Sequence, residues 1–357
     1  MNIYIQIFVI NLYKSNLVHT NLYTYIYIII CFSLIYSGKV FCQDIHFSQY
    51  YANPLFLNPA LAGTANCPRM NMNYRNQWPA IPGAFVSTAL SADHYFASMK
   101  SGVGLLFLND KAGTGRLRST KIAGQYTYNI SINRQWSIRP GLQFSFTQRS
   151  IDFDKLIFGD QLTFNGPLAT SNLETYNVEK KGYIDFATSA IVFSDKYWGG
   201  FVFDHILEPN QSLIGSASPI PMKLSIHGGV KLFLRKSAGL YEEEYISLVF
   251  NYRHQNKYDQ LDLGGYWFRK PILLGIWYRG IPLQKNYKPG YLNHDALVVM
   301  AGIKFKQFIA GYSYDLTISR LFSNTDGAHE ISIIYEFNQD QHLQKKRKKV
   351  VVPCPKI

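Results

Sequence analysis

From residue 69 to residue 338 the chain repeatedly places apolar and polar side chains in strict alternation, and that period of two is the strongest constraint on its fold. In 222–235, Met222, Leu224, Ile226, Val230, Leu232 and Leu234 share one face, and Lys223, Ser225, His227, Lys231 and Arg235 share the other. In 136–149, Trp136, Ile138, Leu142, Phe144 and Phe146 oppose Arg139, Gln143, Ser145, Thr147 and Arg149. In 329–337, Ile331, Ile333, Tyr335 and Phe337 oppose Glu330, Ser332 and Glu336. About fourteen such segments, averaging roughly ten residues, follow one another, and that length lets a tilted strand cross a bilayer.

The connections fall into two sets. Those after odd-numbered segments include 110–116, 150–181, 208–221, 282–294 and 319–327, whereas those after even-numbered segments are mostly tight, as at 98–101, 131–134, Asp195-Lys196, Arg269-Lys270 and Lys306-Gln307. An all-β, outer-membrane antiparallel barrel of about 14 strands with both termini in the periplasm predicts this asymmetry, with long loops outside and short turns inside. A soluble sandwich gives no reason for it. Composition agrees: aromatic residues make up 15% of the chain and charged residues 17%, against roughly a quarter charged in ordinary soluble domains. No apolar run after Gln43 is long enough for a membrane helix, which excludes a helical bundle.

The first 42 residues read as a signal peptide. Residues 22–36 are an uncharged apolar run, preceded by Lys14 and followed by Ser37-Gly38, and cleavage is expected between Cys42 and Gln43. A retained anchor and a lipidated Cys42 are the rival readings. Export leaves Cys67 and Cys354 in an oxidising compartment, where they can form one disulfide or stay as two thiols. Residues 43–67 carry two Asn-Pro steps, Asn53-Pro54 and Asn58-Pro59, which forbid a regular strand and predict short turns and helix that plug or brace the periplasmic mouth. Trp78-Pro79 is expected to shape the first outer turn, with each residue before proline held extended. The barrel is expected over 68–338 and a basic periplasmic tail over 339–357.

No nucleotide, zinc-protease or nucleophile-elbow motif occurs in the mature chain, so neither catalytic residues nor cofactor or metal ligands are assigned. Asp152 and Asp154 could bind a cation and Asp93-His94 could form a relay, but solvated loop charges and a lumen-facing pair explain them better. Glu242, Glu243 and Glu244 read as a solvated turn. The formal charge of +13 falls to +11 without the leader's Lys14 and Lys39, and +5 of that lies in the tail, where Lys345, Lys346, Arg347, Lys348, Lys349 and Lys356 stand against Asp340. In an exported chain such a tail suits anionic lipid, an acidic partner or plain solvent rather than nucleic acid.

"FSQYYANPLFLNPALAG", "NCPR", "NYRNQWPAIPGAF", "NDKAGTG" and the closing "VPCPKI" together resemble the PorP/SprF family of type IX secretion membrane proteins, from about Gln43 to the last residue. The resemblance implies an outer-membrane barrel that binds a secreted adhesin through its C-terminal sorting domain, works with other type IX components and is sometimes tied to gliding motility. No enzyme activity is implied. Client contacts are expected in the long loop, at Phe153, Asp154, Phe158 and Asp160, and contacts with inner components at Lys345–Lys349. The competing reading is a transporter passing an apolar or anionic solute; Lys223, His227 and Lys231 on the lumen face argue against a fatty acid but not against an anion.

Overall fold

The computed structural model describes residues 44–65, 67–152, 156, 159–163, 166–167, 180–235, 244–285, 292–319 and 325–337. The leader with its Cys42–Gln43 bond, Glu242, Glu243 and the tail with Cys354 lie outside them.

Fourteen long antiparallel strands close into a barrel: β1 (Arg69–Gln77), β2 (Phe85–Phe96), β3 (Ser101–Ala112), β4 (Leu117–Tyr128), β6 (Ser137–Ser150), β9 (Lys181–Phe193), β10 (Tyr197–Asp204), β11 (Lys223–Arg235), β12 (Glu244–Gln255), β13 (Tyr258–Arg269), β14 (Ile272–Lys285), β15 (Leu292–Phe305), β16 (Phe308–Thr317) and β17 (Ala328–Glu336). Each pairs with its sequence neighbour, and β1 pairs with β17 from Arg69↔Glu336 to Gln77↔Ala328, so no edge is left in the ring. A two-residue strand, β5 (Ile130–Ser131), adds to the turn end of β6, and β7 (Leu162–Thr163) pairs with β8 (Gly166–Pro167) in the long loop.

The expected faces are present, and they are inverted relative to a soluble protein. On β6, Leu142, Phe144 and Phe146 are exposed at 46%, 56% and 48%, while Gln143, Ser145 and Thr147 between them are buried. An outer face this rich in exposed apolar side chains is stable only against lipid.

The ladders run further than the sequence pattern suggested. β3 and β4 continue to Ala112↔Leu117, which cuts that connection to 113–116, and β14 pairs as far as Lys285↔Leu292. The connection between β12 and β13, expected at the long-loop end, is the two-residue turn 256–257 with Asn256 at φ 55. Trp78 also departs from expectation. It lies at φ 58 rather than extended, donates its N–H to Gly327 O at 2.8 Å, and stacks edge-on against Phe85 at 5.6 Å.

Candidate functional site: the segment inside the barrel

The residues before β1 fold back into the ring. Proline removes ladder donors and fixes φ, so the stretch becomes three single turns: 3-10 at Tyr50–Ala52, α at Pro54–Leu57 and 3-10 at Pro59–Leu61. Asn58 is extended, as its proline requires, and its Oδ1 accepts from Ala60 N at 2.8 Å. Its Nδ2 also meets His227 Nε2 at 2.9 Å on the barrel wall. Asn53 does not cap in this way; it is buried, and neither side-chain atom has a hydrogen-bond partner among the described residues.

The segment occupies more of the lumen than the mouth to which the sequence reading confined it. Its lower part touches the short-turn end: Gly63 N donates to Asp93 Oδ2 at 2.7 Å, and Arg139 Nη2 donates to Ala62 O at 2.6 Å. There the wall approaches so closely that a Cβ on Gly102 would lie 2.3 Å from Ala62 O, and one on Gly141 would lie 2.4 Å from Ala60 N. The middle packs Tyr50, Tyr51, Leu57 and Leu61 against Trp198, Tyr266 and Trp277, with Tyr51 and Trp277 stacked at 6.5 Å. On the opposite side Phe47 packs with Ala89, Leu106, Leu108 and Ala123.

The upper part is polar and centres on the Ser48 hydroxyl. It donates to Asp315 Oδ2 at 2.6 Å and accepts from Arg75 at 2.7 Å and Arg279 at 2.8 Å. The Ser48 and Gln49 amides donate to the two oxygens of Glu330 at 2.6 and 3.2 Å. Gln49 also donates to Ser313 Oγ and Glu330 O and accepts from Ser332 Oγ. Tyr50 donates to Asp262 at 2.6 Å and accepts from Arg253 at 3.0 Å. Around these three residues the wall sets Arg75, Arg253 and Arg279 against Asp262, Asp315 and Glu330, with ion-pair distances of 2.8 to 3.4 Å. Charges of both signs are thus matched inside the ring, which offsets the cost of removing them from water. Burial, followed by the Asp262 contacts and against the pull of Arg253 and Arg279, pushes the Tyr50 hydroxyl up to about 12. His46 is half-buried yet enclosed by the ring; burial first, then Arg279, Arg75 and Arg253, hold its pKa well below 6.5.

The lumen-face side chains picked out by sequence are already engaged. Lys223 pairs with Asp204 at 3.2 Å, Lys231 lies 3.7 Å from the Tyr245 ring centroid, and His227 meets Asn58. Asp93 and His94 face opposite sides of β2, so they form neither a relay nor a lumen-facing pair: Asp93 points inward and takes Arg69, while His94 packs outward on Phe96. Glu244 opens β12 and accepts from Trp267 Nε1 at 3.0 Å. Cys67 is buried beside β1, its thiol 3.4 Å from Ala65 O. Asp152 anchors the start of the long loop by donating its N–H to Gly115 O at 2.9 Å. Asp160 falls in the 3-10 turn Gly159–Gln161; Phe153, Asp154, Phe158 and Lys345–Lys349 lie outside the described residues.

Sequence reasoning singled out the Asn-Pro steps but not Ser48, Tyr50, Arg75, Arg253, Asp262, Arg279 or Asp315, and it noted Glu330 only as a polar position. A signal was present. On β14 and β16 a charge at inward parity stands in a largely apolar stretch, as in "IWYRG" and "YSYDL".

A family description for type IX secretion system membrane protein PorP/SprF matches residues 40–335. The chain belongs to that family. The PorP/SprF barrel is also similar in fold to solved outer-membrane proteins. The Acinetobacter baumannii protein Omp33 is 7% identical, with a TM-score of 0.41 over 76% of this chain and 100% of that one. A Pseudomonas aeruginosa FadL homologue is 10% identical, with a TM-score of 0.41 over 80% and 94%. The Pseudomonas putida toluene transporter TodX is 9% identical, with a TM-score of 0.42 over 78% and 92%. A comparison with curated proteins finds no significant match.

Proposed function

We propose that this type IX barrel is a binding component that keeps its lumen closed and holds a secreted adhesin at the cell surface through the adhesin's C-terminal sorting domain. A role in gliding motility follows where that adhesin drives it. The observation that carries the reading is the segment inside the barrel: Tyr50, Tyr51, Leu57 and Leu61 pack across the middle, and a charge-matched network fastens Ser48, Gln49 and Tyr50 above them. A solute transporter needs a continuous path or an apolar pocket. Here the wall's aromatic and charged groups are spent on the segment itself, which favours work done by loops and rims. In this reading the long-loop end, with 151–180 and Phe153, Asp154, Phe158 and Asp160, faces outward and meets the client, and both termini lie in the periplasm.

Affinity purification of the full-length chain from native membranes, followed by mass spectrometry, tests the partner. A large secreted protein with a C-terminal sorting domain is expected together with other type IX components; recovery of neither, from intact barrel, would refute the assignment. Orientation is tested separately with a membrane-impermeant maleimide on intact cells. Asn165→Cys should react and Asn133→Cys should not.

A further inference from the structure

The short-turn end carries one cation in each of its five described turns between consecutive barrel strands: Lys100, Arg134, Lys196, Lys270 and Lys306, all exposed. Among the described residues of those turns the acidic side chain is Asp195. A patch shaped for one protein would be expected to cluster its charges on one arc. Here they follow the circumference, from the β2–β3 turn round to the β15–β16 turn.

Two further observations give the ring a purpose. Lys100 and Lys306 both sit at φ 52, in the left-handed region where Gly or Asn is the ordinary choice and a lysine costs about 1 kcal/mol. Turn geometry alone would not select them. Secondly, outward-facing aromatic rings stand beside these turns: Phe96, Tyr128, Tyr197, Phe305 and Phe308 are exposed on the lipid side of the last strand residues, Phe305 directly before Lys306 and Tyr197 directly after Lys196. Such rings settle at headgroup depth. A turn one or two residues further along, at roughly 3.3 Å per residue, carries its cation to the level of the phosphates.

We infer that the short-turn end is a ring-shaped binding surface for anionic phospholipid headgroups, engaged through Lys100, Arg134, Lys196, Lys270 and Lys306. The ring fixes the depth of the barrel in the membrane and enriches anionic lipid around it. The inference needs the membrane barrel, not the client.

The full-length protein is titrated with phosphatidylglycerol or phosphatidylcholine and bound lipid is counted by native mass spectrometry. Wild type should prefer phosphatidylglycerol. A cation at a membrane surface is worth about fivefold in binding, so K100N/K306N should lose about 25-fold. Asn suits the left-handed positions, so this variant is expected to fold, and heat-modifiable electrophoretic migration checks it. K196Q/K270Q, at positions without positive φ, should lose a similar factor. Unchanged phosphatidylglycerol binding in both folded variants would overturn the proposal. Equal displacement of the lipid by millimolar inorganic phosphate would also overturn it, because the site would then be one for free phosphate.

Discussion

Replacing Ser48 with Ala removes one hydroxyl from the centre of the inner network and nothing else. The residue is 1% exposed, and its oxygen has three charged partners: Asp315, Arg75 and Arg279. A hydrogen bond to a charged group contributes about 1.5–3 kcal/mol net, so three would suggest well over 4 kcal/mol. The neighbours soften that figure. Arg75 keeps Asp315 at 2.8 Å and Glu330 at 3.4 Å, Arg279 keeps Asp262 at 3.0 Å and Asp315 at 2.9 Å, and the Ser48 amide keeps Glu330. The expected loss is therefore about 2–3 kcal/mol. At 1.4 kcal/mol per factor of ten, the released form of the segment should become about 30- to 150-fold more populated. Native-state hydrogen exchange reads this at the Ser48 and Gln49 amides, which donate to Glu330. Those amides should exchange faster by that factor while the strand amides stay unchanged. Identical exchange in S48A and wild type would mean that the network does not hold the segment, and the closed-lumen reading would lose its energetic basis.

Acid should loosen the same segment. His46 is favoured neutral inside the barrel, so the released state binds the extra proton; holding strength is full above about pH 6.5 and falls by up to about tenfold per unit as pH drops toward the depressed native value. Exchange of the Ser48 amide, corrected for intrinsic rate, should rise from pH 7 to pH 5.5, and H46Q should flatten that dependence. At the short-turn end, Gly141→Ala drives a Cβ to 2.4 Å from Ala60 N, and Gly102→Ala drives one to 2.3 Å from Ala62 O. The double variant should raise single-channel conductance in planar bilayers, and unchanged conductance would contradict the close approach. We further propose a Cys67–Cys354 disulfide. Phe337 N donates to Pro68 O at 2.9 Å, so the end of β17 lies beside the start of β1, and the roughly 17 residues beyond it can span the mouth at about 3.3 Å each. Non-reducing mass spectrometry should recover the two cysteine peptides linked; recovery of both alkylated without reduction would disprove the bond.

The sequence by itself determined the barrel, a count of about fourteen strands and the faces of the clearly alternating ones. Those properties are local: alternation has a period of two, a bilayer sets a strand length of about ten residues, and connection length sorts most hairpins into a long-loop end and a short-turn end. Leu142, Phe144 and Phe146 could be assigned to lipid from six consecutive residues. The proline steps likewise announced that 46–66 could not join the sheet and would plug or brace the mouth, though not how far into the lumen it would reach. Only the closed tertiary structure brings Ser48 to Asp315 across 267 positions, to Arg279 across 231 and, through its amide, to Glu330 across 282. Each of those charges, read on its own strand, marks an inward position and names no partner. What gives them meaning is ring closure, which turns β1, β13, β14, β16 and β17 toward one axis and leaves an interior that must be neutralised and filled. No periodicity encodes that pairing, because charge matching across a lumen depends on register summed around the whole ring. A one-residue slip on any strand would turn its inward side chains outward and break the network.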